Sequence, residues 1–287
     1  MPSKIRIVFS FRADIIRLPI RPAMSCIICG CWLGMSACIY GIRTLISSGW
    51  NKFKKSMKKH KKTAVVIGAT GNLGRAVCKI LSKNGYEIDP IWLGADHPDA
   101  TRAESYGSLP KKIDLAVYLA GINLIKNTEA VSEKEWDEVL GVNLKGAFLF
   151  AKAAFPGMKA AGRSTFVVIS SIMATHPYPK RALYAASKAG LEGLTRELAV
   201  EWGRYGISAN AIRLGHLRGL MKTTKTSPQL LDSVRDKIPS GRLIHPEDVA
   251  SFILWLSEGG SAAVSGGVID FDPAYAINRW PLSDEKA

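Results

Sequence analysis

From residue 63 onward, short runs of β-branched and other apolar residues alternate with longer amphipathic stretches. The short runs Thr63–Ile67, Glu87–Leu93, Asp114–Leu119, Thr165–Ser170, Ile207–Ile212 and Val268–Phe271 predict strands. The longer stretches predict helices over Leu73–Asn84, Ser132–Phe155, Ala182–Tyr205, Pro228–Lys237 and Pro246–Ser257. Such alternation implies a parallel sheet crossed by helices, an α/β fold, because parallel neighbours need a long return connection. The punctuation agrees. Gly85 closes the first helix, Ser132 and Glu135 form a capping box, and Pro246 with Glu247 and Asp248 suits a helical first turn. Pro156 is expected to end the helix that starts at Ser132. Residues 63–287 show no repeat and no second domain, so they are read as one domain behind an extension, residues 1–62.

Charge divides along the same boundary. The formal net charge of +15 suggests nucleic acid, but residues 1–62 carry thirteen Lys or Arg and a single acid, Asp14. The other 225 residues hold 26 basic and 23 acidic side chains, so the body is close to neutral and nucleic acid is not an expected partner. Four of the five cysteines (Cys26, Cys29, Cys31, Cys38) also lie in the extension, which excludes a disulfide framework for the body. No His or second Cys pair completes a zinc set, and no metal is implied. Residues 23–42 form a twenty-residue uncharged run, long enough to cross a bilayer core of about 30 Å. Two readings stay open. The run is an anchor, with the body on the cytoplasmic side that the heavier basic flank favours, or the natural start is Met57 and the body is a cytoplasmic enzyme without it.

Candidate chemistry sits at three places in the body. The first strand runs into Gly68-Ala69-Thr70-Gly71-Asn72-Leu73-Gly74 and then a helix, the context a dinucleotide site requires. Glycine lets the backbone turn sharply and approach a pyrophosphate, and the helix aims its free N–H groups at the phosphates. Tyr184 and Lys188 stand four residues apart on one predicted helix, thirteen residues after Ser171 at a strand end. A free phenol titrates near about 10, too high for a base near neutrality. An ammonium on the same helix face is expected to bring it down toward the operating pH. Ser171 is a neutral donor able to polarise a carbonyl. His176 and His245 both precede prolines and are read as loop residues, His245 just ahead of a helix start.

Together these motifs resemble the short-chain dehydrogenase/reductase family, and within it the 3-oxoacyl-carrier-protein reductases, over nearly all of residues 63–287. The resemblance implies a single Rossmann-type doubly wound sheet with helices on both faces. It also implies hydride transfer between a nicotinamide cofactor and a carbonyl or secondary alcohol. It places the cofactor at Gly68, Thr70, Gly71, Asn72, Leu73, Gly74, Ala120, Gly121, Tyr184, Lys188 and Gly215, and the catalytic set at Asn143, Ser171, Tyr184 and Lys188. In that scheme Lys188 holds the nicotinamide ribose, and Asn143 maintains a helix kink and a water linking Lys188 to solvent.

Several positions depart from the family pattern. Asn72 stands for a glycine, Tyr118 and Leu119 for two asparagines, Leu214 for a proline and Gly219 for a threonine. The segment between the second strand and Gly121 is short, and no clear acid ends that strand. Asp96 favours NAD and Arg102 favours NADP, so both stay open, with NADP preferred by analogy to biosynthetic reductases. The departures leave an alternative: a nucleotide-binding regulator or scaffold that has lost the reaction. Small carbonyl or alcohol substrates are the expected partners, and the resemblance points to 3-oxoacyl or similar keto compounds. Family analogy adds a homodimer or homotetramer packed through the two long helices. The polar stretch Lys222–Ser227 reads as a lid.

Overall fold

Six parallel strands lie in the order β2-β1-β3-β4-β5-β6, where β1 is Lys62–Ile67, β2 Tyr86–Ile91, β3 Leu115–Tyr118, β4 Ser164–Ser171, β5 Ile207–Leu214 and β6 Val268–Phe271. The computed structural model describes residues 61–91, 99–219, 228–259 and 263–278. The apolar run 23–42, the four cysteines near it, Trp92, Leu93, Asp96 and the stretch Lys222–Ser227 lie outside the described residues. The helices are α1 (Asn72–Lys83), α2 (Glu133–Leu140), α3 (Gly146–Ala161), α4 (Ala182–Trp202), α5 (Pro228–Asp236) and α6 (Pro246–Ser257). All six predicted strands and the predicted helices are present, with ends shifted by a few residues.

The central strands are apolar throughout because both faces are covered. Side chains alternate across β1: Ala64 and Val66 face the layer of α1 and α6, with Val77, Leu81, Val249 and Ile253. Val65 and Ile67 face the opposite layer, with Phe150, Ala154 and Met158 of α3 and Leu191 and Trp202 of α4. The strand order reverses between β1 and β3, so the crevice at their C-terminal ends is where such a sheet binds ligands.

The predicted helix 132–155 needs two corrections. It is interrupted by one π turn, Gly141–Lys145, and it does not stop at Pro156 but runs on to Ala161. Proline costs an intrahelical hydrogen bond and crowds the preceding turn, yet tertiary packing outweighs that here. Met158 is fully buried, the Ile113 N–H donates to the Gly157 carbonyl at 3.0 Å, and a Cβ at Gly157 would lie 2.7 Å from the Pro110 carbonyl oxygen. Ser132 and Glu135 form the expected capping box. The Ala182–Tyr205 prediction divides into α4 and a 3₁₀ turn, Gly203–Tyr205. Between β2 and β3 the described residues hold one 3₁₀ turn, Ala103–Tyr106, in keeping with the shortness of that segment. Glu133–Ala161 is long and apolar enough to cross a membrane, but its apolar side packs on the sheet.

Tyr118, read as a departure from pattern, has a packing role. Its buried hydroxyl donates to the Val142 carbonyl at 2.5 Å, inside the π turn where the regular ladder is broken. The neighbouring space exists because position 146 is glycine: a Cβ there would sit 2.3 Å from the Tyr118 oxygen. Tyr118→Phe leaves that carbonyl without its donor, so the expected loss is about 1–3 kcal/mol of stability, read by chemical denaturation.

Candidate active site

The β1–α1 turn is built by its glycines. Gly68 has φ +81, and a Cβ on it would lie 3.0 Å from the Ala120 backbone nitrogen, so this turn and the end of β3 meet at the crevice. Gly74 is more constrained, since a Cβ would come within 2.2 Å of the Gly68 carbonyl oxygen. Gly71 is the N-cap of α1, with ordinary φ and only one neighbour, at 3.5 Å. Among the described residues no side chain caps this helix from Gly71, and the Arg75 guanidinium donates to the Thr70 carbonyl at 2.5 Å. The result is a narrow backbone cradle with a helix start and a cation at its mouth, which suits a pyrophosphate.

Two of the departures meet physically. The Asn72 side-chain amide donates to the Arg218 carbonyl at 3.3 Å, and a Cβ at Gly219, where φ is +90, would lie 2.8 Å from that amide nitrogen. Asparagine in the cradle and glycine in the loop after β5 thus fit each other. Gly215 packs against Asp272, where a Cβ would meet the Asp272 Cβ at 2.7 Å, and its N–H donates to the Phe271 carbonyl. The structure gives Gly215 a packing reason independent of any ligand.

Asn143, Ser171, Tyr184 and Lys188 converge beyond the ends of β3 and β4. Asn143 is fully buried in the π turn; its side chain accepts from the Ile122 N–H at 2.8 Å and donates to the Ile122 carbonyl and the Ser187 hydroxyl, each at 2.9 Å. Ser187 in turn donates to the Tyr184 carbonyl at 2.8 Å. The kink implied by the resemblance is present, with Asn143 joining the β3 loop to α4. Lys188 is buried and donates to the Ile169 carbonyl at 2.7 Å, and burial pushes its ammonium down to about 8. Gly121 lets it stand there, since a Cβ would lie 3.3 Å from Nζ and 3.4 Å from Asn143 Oδ1.

One expectation fails. Lys188 Nζ lies 5.5 Å from the Tyr184 ring centre, yet the phenol is not brought down. Burial pushes it above its ordinary value, and what opposes the rise is the hydrogen bond with Ser171 and the charge of Arg181. Ser171 accepts from the Met173 N–H at 3.2 Å, which leaves its own proton free to donate.

Helix α4 is held in place by a part-buried ion pair. Arg213 of β5 donates to both oxygens of Glu192, at 2.9 and 2.8 Å, and to Asp270 at 2.9 Å, while Ser170 donates to Glu192 at 2.8 Å. His245 is the N-cap of α6, as expected, its N–H donating to Asp248. His176 is exposed and bonded to Thr175. Residues passed over in the sequence also gather here. Tyr178 bonds to both His216 and Tyr275, joining three loops at the C-terminal edge of the sheet, and burial pushes the His216 imidazole down to about 4. An open cleft lined by Arg242, Ile244, His245, Asp270 and Asp272 lies nearby and contains none of the four converging residues.

With this geometry in view, the relatives are informative. A family model described as Enoyl-(Acyl carrier protein) reductase matches residues 98–275. The (3R)-3-hydroxyacyl-CoA dehydrogenase of Canis lupus familiaris is 32% identical over 242 residues, covering 72% of this chain and 93% of the dog protein. The NAD-dependent glycerol dehydrogenase of Listeria innocua is 29% identical over 248 residues, 78% of this chain and 98% of its own. The crystal structure of 3-ketoacyl-(acyl-carrier-protein) reductase from Brucella melitensis complexed with NADH superposes with a TM-score of 0.68 at 25% identity, covering 75% of this chain and 98% of that one.

Proposed function

The chain belongs to the short-chain dehydrogenase/reductase family and is an NAD(P)-dependent oxidoreductase acting on keto or alcohol substrates; from that premise we propose that Tyr184 is its proton donor and acceptor, aided by Ser171 and Lys188. The observation that carries this reading is the joined set itself: phenol, serine hydroxyl and buried ammonium meet beside the β1–β3 crevice, with Asn143 bracing them.

The cradle fits a dinucleotide, because Gly68, Gly74 and Gly121 occupy positions where a side chain would close the space. Gly68 to Gly74 would hold the pyrophosphate against the start of α1, and Lys188, with two donors beyond the one given to Ile169, would hold the ribose. When bound, the cofactor supplies the hydride and, in its oxidised form, a positive charge. Tyr184 gives its proton to the carbonyl oxygen during reduction and takes one from the alcohol during oxidation. Ser171 donates to the same oxygen, its lone pair already engaged by Met173 N–H. Asn143 acts as a positioning residue, since its amide is fully used by Ile122 and Ser187.

NADP is the preferred form in this reading, by analogy to biosynthetic reductases; Arg102, chosen from the sequence for the 2′-phosphate, pairs with Asp99 at 3.5 Å. A 3-oxoacyl or similar keto compound is the substrate in this reading, supported by the names of the relatives. Homodimerisation through α2, α3 and α4 is supported by Trp136, Phe148 and Val200, large apolar side chains 48% to 79% exposed on those helices.

The raised phenol fixes the direction of the pH dependence. At neutral pH Tyr184 is almost entirely protonated, as reduction requires, so reduction is expected to vary little up to about 8, where the Lys188 ammonium begins to lose its proton. Oxidation requires the phenolate, so its kcat/KM is expected to climb about tenfold per pH unit below the phenol pKa. Nicotinamide absorbance, followed in both directions on one ketone and alcohol pair, checks this. An oxidation rate that is flat or falls as pH rises would remove Tyr184 as the base.

A further inference from the structure

The loop that leaves β5 runs from Ser171 toward the dinucleotide cradle. Its start, Leu214, pairs with Ser171 across the sheet, and its Arg218 carbonyl accepts from the Asn72 amide of the cradle at 3.3 Å. His216 stands midway between these two contacts, so it borders the space where a dinucleotide and the carbonyl to be reduced would meet. Its backbone is pinned there. The Gly215 N–H donates to the Phe271 carbonyl at 3.1 Å, the Ile244 N–H to the His216 carbonyl at 3.1 Å, and the Arg218 N–H to the Ile244 carbonyl at 2.8 Å. The imidazole is pinned as well. Tyr178, on the segment joining Ser171 to Tyr184, bonds to its Nε2 at 3.0 Å and to the Tyr275 hydroxyl. The Tyr178 ring stacks on the imidazole at 6.2 Å between centres, and Tyr275 meets it edge-on at 4.4 Å. Of a phenol and a neutral imidazole, the phenol is the stronger acid and the ring nitrogen the stronger base. Tyr178 therefore gives its proton to Nε2 and accepts from Tyr275, which leaves the imidazole proton on Nδ1. That Nδ1–H has no partner among the described residues, and it is not closed off from solvent.

We propose that His216 is a specificity residue of this enzyme, its Nδ1–H taking the second carbonyl of a 3-oxoacyl ester or thioester, one methylene away from the carbonyl that is reduced. This deepens the proposed function and rests on its placing of the reacting carbonyl at Tyr184 and Ser171. A donor locked from behind and open in front needs no rearrangement to meet an acceptor. The acceptor it suits is neutral. Burial keeps the imidazole uncharged at neutral pH, and the Asp272 charge that acts on it would repel a free carboxylate. Tyr178 and Tyr275 give the same wall aromatic faces that a carbon chain can cover. Held at both carbonyls, the substrate is oriented before the hydride arrives. A simple ketone makes only one of the two contacts. Because the second carbonyl does not react, this bond acts on binding and shows in KM rather than in kcat.

The test follows nicotinamide absorbance with the full chain on ethyl acetoacetate and 2-heptanone, methyl ketones of equal chain length of which only the first has a second carbonyl. The ester also activates its ketone chemically, so each variant is judged by the change in the ratio of kcat/KM between the two. His216→Phe is expected to lower kcat/KM for the keto ester about 5- to 50-fold, mostly through KM, and for 2-heptanone no more than a few-fold. His216→Asn, whose amide nitrogen takes the place of Nδ1, is expected to recover part of the ratio. A ratio unchanged in His216→Phe overturns the proposal. Equal losses on both ketones do the same, because the imidazole then only holds three loops together. A loss of dinucleotide affinity that accounts for the whole effect also overturns it, since the imidazole then serves the cofactor. So does a His216→Asn variant that recovers nothing, because the ring's shape and not its N–H is then what matters. Should His216→Phe fail to fold, Tyr178→Phe decides: releasing the ring from behind is expected to lower the same ratio a few-fold, and an unchanged ratio overturns the proposal. The underlying reading fails separately: a wild type that reduces neither ketone, or a Tyr184→Phe variant that reduces both at the full rate, removes the placing of the reacting carbonyl and this proposal with it.

Discussion

Tyr184→Phe is expected to lower kcat by about 10²- to 10⁴-fold while dinucleotide affinity stays within a few-fold of wild type. The ring keeps its volume and its place on α4, so the fold has no reason to respond: Ser187 still bonds to the carbonyl of residue 184, and Lys188 still donates to Ile169. What is lost is one hydroxyl, its bond with Ser171, and the group on which the Arg181 charge acts. A drop confined to kcat identifies an interaction made in the transition state rather than in binding. Paired measurements on a substrate the wild type turns over, initial rate and dinucleotide titration, make the comparison. Rates equal to wild type would show that some other group moves the proton. Equal losses in rate and dinucleotide affinity would instead point to collapse of the site.

Much of this arrangement is legible in the sequence. Strands buried on both faces are continuous apolar runs, and the glycine turn and the Tyr184–Lys188 pair are local patterns whose spacing survives in one dimension. Ser132, Glu135 and Pro246 announced their helix starts for the same reason. What escaped depended on partners far apart in sequence. Pro156 stays helical because Gly157 and Met158 are clasped by a segment more than forty residues away. The Tyr118 substitution looked like a loss of pattern, but its hydroxyl fits the gap at Gly146. Asn72 and Gly219 were two separate departures until the fold put them in contact. The tuning of Tyr184 was misread because the i, i+4 rule speaks of neighbourhood and not of burial, and here desolvation is the larger effect.

Gly74→Ala is expected to abolish dinucleotide binding at ordinary concentrations and to cost about 1–3 kcal/mol of stability or more. A methyl group at this position would stand 2.2 Å from the Gly68 carbonyl oxygen and 2.7 Å from the Ala69 carbonyl carbon and Cα. Those neighbours are backbone, so no side chain can rotate away. Either α1 lifts off the turn or the turn opens, and both movements spoil the one place where Gly68, Gly71 and the start of α1 are held together. Gly71→Ala makes the control, because its φ of −63 is ordinary and its only neighbour lies at 3.5 Å. That variant is expected to melt as the wild type does, whatever it does to the ligand. Denaturation curves and dinucleotide titrations on the two variants separate the effects of folding and binding. Wild-type affinity in Gly74→Ala would mean that the dinucleotide does not lie in this turn, and the assignment of every cradle residue from Gly68 to Gly74 would go with it.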